Sequence, residues 1–292
     1  MIIGSTEGKK DKRRIKLRTK ITTIVIVLFF LIGIGFIAYP IIGAVVSDYT
    51  STRVIQNYDN QMSSMDKKSI EKTKNKLKEI NKELKQIIKN PFENLNNSKP
   101  YKERKKIFKE GTLLGYLSIP KIDVLQPICE GTKESTLSHS VGHLNGTSMP
   151  YGGKSTHCCL TGHSGLSYSK MLSELDKIKV DDIFYIKTLN EKHQYKVDTV
   201  QIVKPYGANK YLKIEKDKDY VTLATCYPVT INTHRLLVRG HRVPYDGGLD
   251  EALKQKLNEV QYKIIALALI SLLIISSIVT IYIIRKRKSR RT

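Results

Sequence analysis

The residues best suited to chemistry lie near the C-terminal third of the chain. Cys226 closes the run Val221-Thr222-Leu223-Ala224-Thr225-Cys226, and Arg235 opens the run Arg235-Leu236-Leu237-Val238-Arg239-Gly240. Both runs read as strands joined by the short, Pro-containing segment from Tyr227 to Thr233. Strand alternation then places Thr222, Ala224 and Cys226 on one face and Arg235, Leu237 and Arg239 on one face. A thiol and a guanidinium can meet at one end of such a pair. A fixed positive charge favours the thiolate, which is the nucleophilic form of cysteine, so the pattern points to cysteine chemistry.

An acid–base partner has to come from the histidines, at positions 139, 143, 157, 163, 193, 234 and 241. His163 is the best placed. It follows a strand-like run in Leu160-Thr161-Gly162-His163-Ser164-Gly165, where a glycine-flanked loop exposes the imidazole while the strand fixes its position. His157 and His193 read as strand-surface residues, and His234 should face away from Arg235.

The three other cysteines, Cys129, Cys158 and Cys159, bring the total to four, a number compatible with disulfides in an exported protein. They read better as reduced core residues, because neighbouring Cys158 and Cys159 point to opposite faces of a strand and pairing with Cys226 would disable the nucleophile. His157, Cys158, Cys159 and His163 have loose metal-ligand spacing, yet alternation divides them between two faces, so no metal is expected.

The elements that must position these groups change character along the chain. Tyr58 to Lys89 is rich in Lys and Glu, with Leu77, Ile80, Leu84, Ile87 and Ile88 forming a helical apolar stripe that suits a spacer or a helix packed on the domain. That helix should end before Asn90-Pro91-Phe92, since a residue preceding proline is driven out of the α region. From Thr112 to about Val243 the helical period gives way to short β-branched or aromatic runs bounded by Gly, Pro, Asn or Asp. They include Leu114 to Ile119, Thr156 to Thr161, Ile183 to Lys187, Gln194 to Val203, Val221 to Cys226 and Arg235 to Arg242. The expectation is a mainly β domain, a closed barrel or a sandwich.

Two apolar stretches flank this domain. Ile21 to Ser47 holds 27 residues and Ile264 to Ile284 holds 21, all without a charged side chain. Each matches the roughly 20 residues a helix needs to cross a bilayer core. Basic residues precede the first and follow the second, which puts both termini in the cytoplasm and residues 48–263 outside. The first stretch is too long for a secretory signal core and lacks a good cleavage site, so an uncleaved anchor is the better reading. The reading by segment is a cytoplasmic tail over 1–20, a span over 21–47, a helical spacer over 48–111, a β domain over 112–245, a polar linker over 246–263, a span over 264–284 and a second cytoplasmic tail over 285–292.

The formal net charge is +23, but the first 20 residues and the last eight each contribute +6. The remaining excess suits an anionic lipid surface or wall polymer better than nucleic acid, for which no zinc-finger, RRM or helix-turn-helix pattern exists.

Thr222-Leu223-Ala224-Thr225-Cys226 resembles the TLxTC signature of the sortases, and Pro228 followed by Asn232 to Gly240 is similar to the class C, pilus-assembling branch. Further resemblance lies in Gly115 to Ile122, in Gly142-His143-Leu144 with Gly146 to Pro150, and in Gly152 to His157 leading to Thr161-Gly162-His163. It covers roughly residues 90–245. Two spans, one after the catalytic domain, also resemble class C.

This resemblance implies a closed eight-stranded β-barrel with N-terminal helices and two flanking transmembrane helices, and a site made of Cys226, His163 and Arg235. It implies cleavage of an LPXTG-like signal between Thr and Gly, a thioester acyl-enzyme, and transfer to a pilin lysine, with no cofactor. The implied partners are pilin proteins and membrane lipid. A lid is implied at Asn90, Pro91 and Phe92, where the family's Asp is replaced by Asn90, so Phe92 would hold it by packing; the same residues also read as a plain helix stop. The alternatives are a wall-anchoring sortase that uses a peptidoglycan amine, a membrane-anchored cysteine protease in which water resolves the acyl-enzyme, and a noncatalytic surface module. Oligomeric state is not legible.

Overall fold

The computed structural model describes residues 4–87 and 107–289. Eight strands, β1 (Leu113–Ile119), β2 (Val124–Glu130), β3 (Val141–His143), β4 (Thr156–Thr161), β5 (Ile183–Thr188), β6 (Glu191–Val203), β7 (Asp219–Tyr227) and β8 (His234–Val243), close into a barrel. Around it the order is β1-β2-β3-β4-β7-β8-β6-β5. The pairs β2–β3 and β4–β7 are parallel and the rest antiparallel. Six of the strands were visible as β-rich runs. β2 carries Pro127 at a position buried on all sides, and β3 has only three residues, so neither shows alternation.

The barrel interior is filled by the side chains that alternation assigns to one face, including Leu160, Phe184, Tyr195, Val221, Leu223, Leu236 and Val238. A second apolar layer lies outside the wall, where Cys159, Ala224 and Leu237 meet Val203 and Leu212. The long connection from β6 to β7, with a 3-10 helix over Pro205–Tyr211, supplies that cover. It exists because β8 lies between β6 and β7 in the barrel, so the chain must travel across the wall to reach its next strand.

Two long helices and one of middle length surround the barrel. α1 runs unbroken over Gly4–Ser64, so the first apolar stretch and the residues after it form one helix. Its last turns dock on the barrel through buried Ile55, Tyr58 and Met62, and the Tyr58 hydroxyl donates to the Leu114 carbonyl at 3.1 Å. α2 (Lys67–Ile87) buries Leu77, Ile80 and Leu84, in agreement with the apolar stripe. A four-residue helix, α3, covers Glu134–Leu137.

Residues expected as a polar linker are helical instead: α4 runs from Gly248 to Ser289 and carries the second apolar stretch as its continuation. Its polar start is held by burial of Leu249 and Val260 and by Lys256, which is 5 % exposed and pairs with Asp48 of α1 at 3.0 Å and Asp123 at 2.7 Å. Among the described residues two helices are thus long and apolar enough to cross a membrane.

His157 and His193 depart from the expected surface position, at 1 % and 2 % exposure. Alternation puts His157 on the outer wall, but the β6–β7 connection lies over it: the Lys213 carbonyl is 2.9 Å from Nδ1 and the Thr222 hydroxyl is 2.8 Å from Nε2. His193 falls in phase with interior Tyr195 and Val197. Burial lowers both rings from the ordinary histidine value to about 4, with the charges of Arg239 and Arg242 acting in the same sense.

Neutral rings of this kind favour the folded state above the unfolded pKa of about 6.5 and lose that contribution as pH falls toward 4, by on the order of 3 kcal/mol each. The melting temperature of the full chain should fall by more than about 5 °C between pH 7.5 and pH 4.5. His157→Gln, which keeps both hydrogen-bonding functions without a titrating ring, should show a smaller drop. An equal drop would remove His157 as a cause.

Candidate active site

The site is built at one end of three adjacent strands, β4, β7 and β8. In the antiparallel β7–β8 register, Cys226 lies directly opposite Arg235, Ala224 opposite Leu237 and Thr222 opposite Arg239. Directly opposed residues project to the same side of a sheet, so Cys226 and Arg235 stand together on the outer face above the second apolar layer. This is the juxtaposition expected from the two sequence runs.

The parallel β4–β7 register ends with Thr161 beside Ala224. His163 is two residues beyond Thr161 and Cys226 two beyond Ala224, so the loop after β4 reaches the level of the thiol. Three hydrogen bonds pin that loop to β7. Gly162 N–H donates to the Ala224 carbonyl at 3.2 Å, the Thr225 hydroxyl to the Gly162 carbonyl at 2.8 Å, and the Ser164 hydroxyl to the Cys226 carbonyl at 2.8 Å. His163 sits between the pinned residues. Thr225, the fourth residue of the TLxTC-like run, is therefore a fastener whose hydroxyl fixes the histidine loop.

Gly165 explains why that loop ends in glycine. Its φ is +78°, a left-handed conformation, and a Cβ there would come within 2.9 Å of Val229 Cγ1 in the β7–β8 loop. The two loops flanking the thiol thus pack directly on each other. The β7–β8 loop is itself tightly wound, with Ile231 and Asn232 N–H both donating to the Pro228 carbonyl and with Thr230 and Asn232 at positive φ.

Arg235 extends from this loop. Its Nη1 donates to the carbonyls of Asn232 at 3.2 Å and His234 at 3.0 Å. Two backbone acceptors on one nitrogen orient the guanidinium plane, and its other N–H groups have no partner among the described residues. N–H groups of this kind can donate to an anionic oxygen. His163 Nε2 lies 3.1 Å from Glu134 Oε2 of α3, a partner that no sequence pattern marks. The His163 side chain is 28 % exposed and that of Glu134 75 %.

No disulfide joins the four cysteines, and only Cys226 is more than slightly accessible. Cys129, Cys158 and Cys159 are 5 %, 1 % and 0 % exposed, and burial pushes the Cys159 thiol up to about 12. Among the described residues no cluster of three or more His, Cys, Asp or Glu side chains is arranged to hold a metal. His143 is structural: fully buried, it is bonded to Glu130 and to the Ser148 carbonyl, each at 2.9 Å. Asn90, Pro91 and Phe92 lie outside the described residues.

Comparison with known proteins agrees with this geometry. The profile of the sortase domain family matches residues 117–243. Sortase C1 from Streptococcus agalactiae is 44 % identical, with a TM-score of 0.61, over 66 % of this chain and 100 % of that one. Streptococcus pneumoniae sortase C is 39 % identical, with a TM-score of 0.58, over 66 % of this chain and 97 % of that one. Clostridium perfringens sortase C, solved with the C-terminal cell wall sorting motif, is 36 % identical, with a TM-score of 0.57, over 66 % of this chain and 99 % of that one. No curated protein matches the chain.

Proposed function

This chain belongs to the class C sortases and is a sortase transpeptidase, and from that premise we propose that Cys226, His163 and Arg235 carry out transfer of an LPXTG-like sorting signal to a lysine of a pilin subunit. The observation that supports the reading most directly is the pairing of Cys226 with Arg235 beside the pinned His163 loop. The Cys226 thiolate attacks the Thr carbonyl of the Thr-Gly bond. A C–S bond forms, the carbonyl electron pair moves onto oxygen, and the Arg235 N–H groups stabilise that oxyanion. Collapse breaks the C–N bond, and His163 delivers a proton to the departing glycine amine.

In the second half the lysine amine attacks the thioester, His163 takes the amine proton, and the C–S bond breaks to restore the thiolate. The product is an isopeptide bond. The donor class is supported by the Clostridium perfringens relative solved with its sorting motif, and a pilin acceptor by the Streptococcus pneumoniae relative, whose structure addresses pilin substrate specificity. Amine capture separates this reading from a hydrolase. Incubating the full chain with a sorting-signal peptide and a lysine-bearing pilin domain should give a covalent conjugate found by mass spectrometry; hydrolysed peptide alone would overturn the transfer.

The basic residues before the first apolar segment and after the second support a two-pass arrangement with cytoplasmic termini and an external barrel. A wall amine as acceptor would use the same machinery and yield a different amine in the isolated product.

Glu134 acts on this chemistry only by positioning His163. An ion pair so exposed contributes at most about 1 kcal/mol, so Glu134→Gln should lower kcat/KM by no more than about fivefold. Kinetics at 0.05 M and 0.5 M salt check the assignment: the wild type should lose part of its rate at high salt, whereas the variant should be insensitive.

A further inference from the structure

At the opposite end of β4, β7 and β8 from Cys226 lies a second concave site. It is a cavity of about 390 Å³ lined by residues that include Lys78 and Lys82 of α2, Lys154, His193, Asp219 and Arg242. Cys226 lies seven residue steps along β7 from Asp219, which at strand rise is roughly 23 Å, so this cavity is not part of the catalytic end. α2 forms one wall, anchored by Asn81, whose side chain accepts from Met149 N–H at 2.7 Å. The turn at Gly152 and Gly153 forms another.

The charges here do not cancel. Glu191, also on the lining, is met by Lys74 at 2.7 Å. Asp219 accepts from Gly153 N–H at 2.7 Å and pairs with Arg242 at 3.3 Å. Lys78, Lys82 and Lys154 line the cavity, and none has a carboxylate partner among the described residues.

An independent observation is the state of His193. Its Nδ1 faces Nη2 of Arg242, and because a guanidinium can only donate, Nδ1 carries the lone pair and Nε2 the proton. Nε2 is buried and has no hydrogen-bond partner among the described residues. A buried donor in that condition is costly, and His193 is among the residues that line the cavity.

We infer that this cavity is a binding site for a small phosphate ester, with Lys78, Lys82 and Lys154 facing the phosphate oxygens and His193 Nε2–H donating to the ligand. A phosphate brings up to two charges and three strong acceptor oxygens, which suits three lysines and one N–H better than a single carboxylate does. The volume exceeds that of a bare ion and accommodates an organic ester group.

The test is calorimetric titration of the full chain in phosphatidylcholine nanodiscs with sn-glycerol 3-phosphate, and with succinate as the carboxylate control. Saturable binding of the phosphate ester is expected, weakened at least about tenfold in Lys82→Gln/Lys154→Gln, whose substitutions are on exposed side chains and leave the fold intact. His193 Nε2–H should shift in the NMR spectrum on binding. Repeating the titration in nanodiscs containing phosphatidylglycerol identifies the natural source: competition assigns a lipid headgroup, and unchanged affinity assigns a soluble ester. Absence of saturable binding, equal affinity for succinate, or an unaltered affinity in the double variant would overturn the inference. None of these readouts depends on transpeptidation.

Discussion

Cys226→Ala should abolish conjugate formation, lowering the rate by on the order of 10⁴-fold or more, to the limit of detection. In the proposed mechanism the sulfur is the atom on which the acyl group rests between donor and acceptor, and no other thiol is placed to substitute for it. Cys129, Cys158 and Cys159 are buried, and the fully enclosed Cys159 has its thiol pushed up to about 12, far from thiolate formation at neutral pH. A thiol-specific alkylating reagent should therefore modify the native protein once, at Cys226, and that modification should reproduce the alanine phenotype. The substitution removes one partly accessible atom at a strand end, so the melting temperature should stay within a few degrees of wild type. Retained conjugation in a folded Cys226→Ala protein would remove Cys226 as the nucleophile, whereas a wild-type chain that forms no conjugate would favour the noncatalytic surface module.

Much of this site can be read from residue order because strands obey a strict two-residue period. Thr222, Ala224 and Cys226 share a face for the same reason that Arg235, Leu237 and Arg239 do, and a short connection makes the two strands neighbours. The β7–β8 register brings together the residues that this reasoning pairs. His163 required an inference about a loop, and its three anchoring hydrogen bonds come from β7, 62 or 63 residues away, with no local pattern to announce them.

Glu134 was invisible for that same reason: a four-residue helix carries no periodic signal, and its contact with His163 is purely tertiary. The misjudged histidines reveal a different limit. Alternation assigned a face to His157 correctly, but whether that face meets water depends on the route of the β6–β7 connection, which follows from the position of β8 between those strands. The two apolar helices were legible as apolar lengths, whereas their unbroken continuation into polar sequence was not. In α4 that continuation depends on Lys256 reaching Asp48 and Asp123, two partners distant in sequence.

Arg235→Lys keeps the charge and removes the planar fork, and it should lower kcat by about 10²- to 10³-fold while changing KM little. Loss of a donor aimed at an oxyanion typically has that size, about 3–4 kcal/mol, because the interaction forms mainly in the transition state. Here the geometry adds a reason why an ammonium cannot replace a guanidinium. One nitrogen of Arg235 is occupied by the carbonyls of Asn232 and His234, which orients the rest of the fork and leaves it available to donate elsewhere. A lysine head has a single nitrogen, so bonding to either carbonyl draws it away from the carbon undergoing attack. Steady-state kinetics on the sorting-signal peptide separate the alternatives. If charge alone mattered, the lysine variant would retain activity within tenfold of wild type and Arg235→Ala would fall much further. If oriented donors matter, both variants should fall together, and trapping of the Cys226 thioester should slow by the same factor as overall turnover.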